Sequence, residues 1–125
     1  MKIAISWNGH ALEADLFDTP TARALMAALP IESKANTWGD EVYFEVPIAA
    51  KLEADAREVV DPGTVCFWVQ GGSLALPFGP TPASEGSECR LVTRVNVLGT
   101  IIGDARVLDS VRSGAKIRVE RAAAS

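Results

Sequence analysis

Side chains able to do chemistry are sparse in this chain of 125 residues, and their spacing excludes more than it offers. His10 is the single histidine. No Ser-His or Cys-His catalytic assembly with a third orienting group is therefore evident, and His10, at a hairpin end, reads as structural. Cys66 and Cys89 stand apart, with no second Cys or His at metal-ligand spacing, so they read as ordinary reduced thiols. No metal and no cofactor are expected. Asp40, Glu41 and Glu45 suggest carboxylate chemistry or a divalent ion, yet Glu41 and Glu45 sharing one strand face is also how a solvated strand reads, and that reading is adopted. Gly71-Gly72-Ser73 and Gly79-Pro80-Thr81-Pro82 lack the strand, Gly-rich loop, Lys and helix order of a phosphate cradle; they are turns. What remains is aromatic: Tyr43 and Trp68 point outward from two successive strands.

The bulk composition bounds the setting of these residues. Apolar residues make up 48% and charged residues 22%, the balance of a globular protein large enough to enclose one core in one domain. That domain is expected over residues 1–121, with a frayed tail over 122–125. The formal charge of -4 is uneven: residues 1–61 hold five basic and eleven acidic groups, residues 62–125 seven and five. Neither half has the dense basic stripe that phosphate neutralisation needs, so nucleic acid is not an expected partner. Apolar runs fall far short of the ~20 residues that span a bilayer, and Met1-Lys2-Ile3-Ala4 leads straight into an alternating strand. The cytoplasm is the expected compartment, with no membrane partner.

Ile3, Ile5 and Trp7 alternate, Asn8-Gly9 supplies the two positive-φ positions of a type I′ turn, and Leu12, Ala14 and Leu16 continue the apolar face. A two-residue turn sets Trp7 opposite His10, Ile5 opposite Leu12 and Lys2 opposite Asp15. Thr19 is placed as N-cap and Pro20 at the first position of a helix whose stripe is Ala22, Leu25, Met26 and Leu29, ended by Pro30. Trp38-Gly39-Asp40 reads as a turn. After it Val42, Phe44 and Val46 face inward, leaving Tyr43 outside between two carboxylates. Residues 47–60 lean to strand at each end. Asp61-Pro62-Gly63 turns into a strand, residues 64–69, with Val65, Phe67 and Val69 on one side and Cys66 and Trp68 on the other. Residues 73–78 form a further strand, 83–88 an exposed loop, and 94–102 another strand. One or two helical turns over 104–112, capped by Gly114, lead to a last strand over 116–121. Many short strands with one good helix near the start and a short one near the end predict a mainly β protein, a closed antiparallel barrel capped by two helices.

The order of these elements resembles the cyclophilins. The hairpin through Asn8-Gly9 to Leu16-Phe17 and the Thr19-Pro20-Thr21-Ala22 helix start resemble the cyclophilin opening. Gly63-Thr64-Val65 to Gly72-Ser73 resembles the mid-barrel strand pair. Val95-Asn-Val-Leu-Gly-Thr-Ile101, Val107-Leu108 and Lys116-Ile-Arg-Val119 resemble the closing strand, helix and strand. Gly39 to Phe44, Arg57 to Gly63 and Phe78-Gly79-Pro80-Thr81 look like the compact, atypical cyclophilin-like proteins of bacteria and archaea. The resemblance implies the barrel and leaves activity to be argued from the site.

Active cyclophilins carry an Arg on an early strand, followed closely by Phe and Gln, to hydrogen-bond the prolyl nitrogen as it loses conjugation. The matching stretch, about Asn36 to Glu45, holds no Arg and no Gln, and the usual late histidine falls near Arg94 or Val95. Without a cation there, a torsional barrier of ~18 to 20 kcal/mol keeps little help beyond apolar desolvation. The cyclophilin groove lies on the outer barrel face, so the resemblance implies a site lined by Tyr43 and Trp68, with Phe78 or Pro77 at one edge and Arg57 or Arg94 for polarity. Three functions are compatible: a module binding a small molecule or extended peptide with little or no isomerase activity, an atypical peptidyl-prolyl isomerase, or a homo-oligomeric scaffold using an exposed face around Trp68, Leu98 and Ile102.

Overall fold

Asn8 and Gly9 take φ values of +42° and +81°, so the chain reverses through a two-residue turn between β1 (Lys2–Trp7) and β2 (His10–Leu16). Trp7 pairs with His10, Ile5 with Leu12 and Lys2 with Asp15, the register the apolar alternation requires. Because strand side chains alternate in direction, this register sends Ile3, Ile5, Trp7, Leu12, Ala14 and Leu16 to one face, and all are buried. The computed structural model describes residues 1–122, and the tail expected over 122–125 lies outside it beyond that point.

Helix α1 (Pro20–Ala28) starts where the sequence places it: the Thr19 hydroxyl accepts from the Ala22 N–H at 3.2 Å, and Pro20 sits in the first turn. Ala22, Leu25 and Met26 bury against the sheet. The next elements are β3 (Ile31–Lys34), β4 (Asn36–Thr37), β5 (Glu41–Glu45), β6 (Arg57–Val60), β7 (Thr64–Trp68), β8 (Ser73–Pro77) and β9 (Cys89–Ile102). A 3₁₀ helix (Ala105–Ser110) and β10 (Lys116–Arg121) follow. The strand order is β3-β10-β1-β2-β9-β7-β8-β5-β4, with β6 attached to β9 off this path.

Three expectations need correction. The ladder is not closed: its two ends, β3 and β4, are not hydrogen-bonded to each other. They are successive pieces of one chain, β3 paired with β10 and β4 with β5, so at Ala35 a covalent link stands where the closed barrel would have a ladder. Residues 47–56 contain no strand; only the later end, β6, does. Pro47 cannot donate to a ladder, and this segment is held by side chains instead. Asn96, fully buried on β9, accepts from the Glu53 N–H at 2.8 Å and donates to the Lys51 carbonyl at 2.8 Å and the Thr21 hydroxyl at 3.0 Å. Thr21 in turn donates to the Glu53 carboxylate. Finally, Gly114 does not cap the 3₁₀ helix, which ends at Val111; with φ of +90° it turns the chain into β10.

Two apolar clusters result. The larger lies inside the curled sheet and holds Phe44, Val65, Phe67, Leu74, Leu76 and Leu98 with the β1–β2 residues. The smaller lies outside it, where Cys66 and Ala75 meet Val60, Cys89, Leu91 and Val95, with Tyr43 and Trp68 packed against the set. β9 makes this second layer because it is far longer than its neighbours and bulged. Its register against β7 slips between Val65 and Cys66, bending it off the sheet, and its first half then pairs with β6. The β6–β9 ribbon thereby covers the outer face of β7, β8 and β5.

Candidate functional site

The site begins with three outward positions on adjacent strands. Tyr43 on β5 lies opposite Ala75 on β8, and Ala75 lies opposite Cys66 on β7. A small residue between larger neighbours leaves a depression, and the β6–β9 ribbon roofs it with Leu91, Val92 and Val95. Trp38, in the turn before β5, Tyr43 and Trp68 form its aromatic walls, and Glu41 closes one end. The pocket encloses about 220 Å³. That is below the ~300 to 1,000 Å³ of pockets for drug-sized ligands and suits one ring with a short substituent.

Tyr43 and Trp68 meet edge to face, with ring centroids 6.2 Å apart and planes at 84°, so they form two sides of a corner. Gly71 lets the Trp68 ring lie where it does, since a Cβ at that position would collide with the indole. Glu41 is the unexpected member. The alternation that put it on a solvated face is correct in direction, but that face is covered, and Glu41 is 6% exposed. Its Oε1 is buried with no hydrogen-bond partner among the described residues. Desolvation raises its pKa to about 7.

The sequence-derived candidates separate into two groups. Tyr43 and Trp68 line the same pocket. Phe78 does not: it shares the inward parity of Leu74 and Leu76, belongs to the inner core and carries the Arg106 guanidinium over its ring at 5.2 Å. Pro77 is buried opposite Glu41 on β5, outside the lining. Arg57 and Arg94 are exposed, and neither contributes to the lining. Arg57 nonetheless acts on the Cys66 thiol, whose pKa burial and the Glu41 carboxylate push up and Arg57 pulls down. Cys66 and Cys89 are free and buried, and burial raises the pKa of each. His10 stacks on Trp7 with centroids 5.8 Å apart, away from this pocket.

Trp38, Leu91 and Val92 escaped the sequence reading, and Glu41 was weighed there and assigned to a solvated face. A signal existed for one of them: Cys89 and Leu91 alternate with Glu88 and Arg90, a strand pattern that begins before the expected start at Arg94. Nothing local marks Trp38 or the burial of Glu41, which depend on the ribbon lying over them.

A family model described as cyclophilin-like matches residues 1–120, nearly the whole chain, in the element order described above. The chain belongs to the cyclophilin-like family. The chain is also similar to the solution structure of a hypothetical protein from Archaeoglobus fulgidus. The two are 37% identical, with a TM-score of 0.82, over 98% of this chain and 95% of that one. No curated protein matches. In this cyclophilin-like protein no arginine among the described residues lines the outer pocket, and the one acidic group that does is Glu41. No helix among the described residues is long and apolar enough to cross a membrane.

Proposed function

We propose that this cyclophilin-like protein binds a small, one-ring organic molecule in the pocket between the outer face of β5, β8 and β7 and the β6–β9 ribbon, with little or no isomerase activity. The observation that carries this reading is the enclosure of about 220 Å³ by Trp38, Tyr43, Trp68, Leu91, Val92 and Val95 over Ala75. Apolar walls with one polar group at the end are the usual composition of a small-molecule site. An extended peptide is less favoured, because the ribbon lies over the face on which a peptide would be laid. The isomerase alternative asks for a cation beside the prolyl nitrogen, and the lining supplies a carboxyl group instead. For the scaffold alternative, Leu98 is fully buried in the inner core, leaving Ile102, 43% exposed, without the apolar face expected around it.

The test is a titration with 2-phenylethanol, followed by the indole N–H signals of the three Trp in two-dimensional NMR. The expected result is a saturable shift of the Trp38 and Trp68 signals with the Trp7 signal unmoved, lost in Trp68→Ala. No saturable shift with any one-ring probe overturns the reading. So does turnover of a prolyl peptide that disappears in Arg57→Ala.

A further inference from the structure

Resting on that pocket, we infer that its ligand is an organic cation: an ammonium group on a short aryl or alkyl body, with the ammonium held between Glu41 and the aromatic walls. Two independent features of the site point this way. Glu41 Oε1 is buried with no partner among the described residues, and no salt bridge among those residues reaches this carboxyl group. A buried acceptor left unsatisfied costs stability, and a donor brought by a ligand removes that cost. The second feature is the corner made by Tyr43 and Trp68 at 84°, with Trp38 on the same lining. Aromatic faces attract cations through the ring quadrupole, and several rings around one volume are the usual means of holding an ammonium group. A neutral ligand of the same size can hydrogen-bond to the carboxyl, but only a cation gives its ionised form a counter-charge.

Proton linkage follows from the same geometry. With its pKa raised to about 7 by burial, Glu41 is about half protonated near neutrality, and an arriving ammonium favours the carboxylate, so binding there releases a proton. The other titratable or charged groups around Glu41 are few. Asp40 precedes it, Cys66 faces it from β7 and Cys89 from β9, both thiols feeling its charge and both held neutral by burial. Asp109 and Arg112 line a second, smaller cavity that Glu41 also borders.

The experiment compares phenethylammonium with 2-phenylethanol, near-isosteric probes that differ in the charged group, by calorimetry and NMR on the intact chain. Near pH 8 phenethylammonium is expected to bind at least about tenfold more tightly, and the preference is expected to shrink below pH 6. Near pH 7 its binding enthalpy is expected to vary with the ionisation enthalpy of the buffer, reporting proton release, while that of the alcohol does not. In Glu41→Gln both the preference and the buffer dependence vanish. Equal affinities with no proton release overturn the cation assignment and leave the pocket standing. Absence of binding by both probes overturns the pocket as well. The wild-type pH and buffer arms decide the question without the variant.

Discussion

Glu41 shows how one side chain changes meaning when its surroundings are known. Its carboxyl is ionised above about pH 4.5 in the unfolded chain and above about 7 in the folded one. Between those values the folded chain holds a proton that unfolding releases, so this group's contribution is fully present below the lower value and is lost as pH rises through the higher. The stability of Glu41→Gln relative to the wild type is therefore expected to improve by about 2 to 3 kcal/mol between pH 4.5 and pH 8. Urea unfolding at a series of pH values checks this; parallel curves for the two proteins would show that Glu41 is not desolvated. Trp68 makes the complementary case. Half-buried at the pocket wall, it is expected to cost about 1 to 2 kcal/mol when cut to Ala, far less than an inner-core ring such as Phe67, at about 3 to 5 kcal/mol. The parity of Tyr43 and Trp68 was readable from the sequence. Parity also speaks against Phe78, two residues on from Leu76 and thus inward, whereas the covering of Glu41 leaves no local mark.

Among the elements, β9 has the most to do. Gly99 is where it passes β2 so closely that a Cβ would fall on the Asp15 carbonyl oxygen and 2.8 Å from the Leu16 Cα. Both obstacles are backbone and cannot swing away. Gly99→Ala is expected to lower the thermal midpoint by about ten degrees or more, roughly 2 to 3 kcal/mol in a domain of this size, read by circular dichroism. Three residues earlier Asn96 anchors the strandless segment 47–56, and Asn96→Ala strands the Glu53 N–H and the Lys51 carbonyl that it bonds. A loss of about 2 to 3 kcal/mol is expected, with new proteolytic cleavage within 47–56; cleavage unchanged from wild type would mean that the network is not what holds the segment. The first hairpin and the start of α1 were legible to the residue because a turn pair, an N-cap and a proline each act over four residues or fewer; the helix stops at Ala28, and Leu29, placed on its apolar stripe, is already extended. The segment 47–56 was not, since its order comes from a side chain far along the chain, on a strand that only the fold brings beside it.

At the scale of the molecule, the ends of the chain meet in the sheet: β10 lies between β1 and β3, with Ile117 and Val119 buried in the inner core. The outer layer depends on that sheet, and the converse does not hold, because β6 has one strand partner and contributes Val60 alone to a small cluster. Hydrogen exchange is expected to show β6 amides opening well below the free energy at which β1, β2 and β7 amides exchange, as edge elements with few buried contacts do. Equal protection across all four would mean that the ribbon and the sheet form one cooperative unit. What the sequence determined by itself is the direction of nearly every strand residue, along with the turns and the helix start, since each follows from φ preference and alternation within a few residues. What only the tertiary structure decided is which outward faces meet water. A bulge bends β9 over Tyr43, Trp68 and Glu41, and because burial depends on what lies across a face, no pattern along β5 could reveal that its outer carboxyl group is buried.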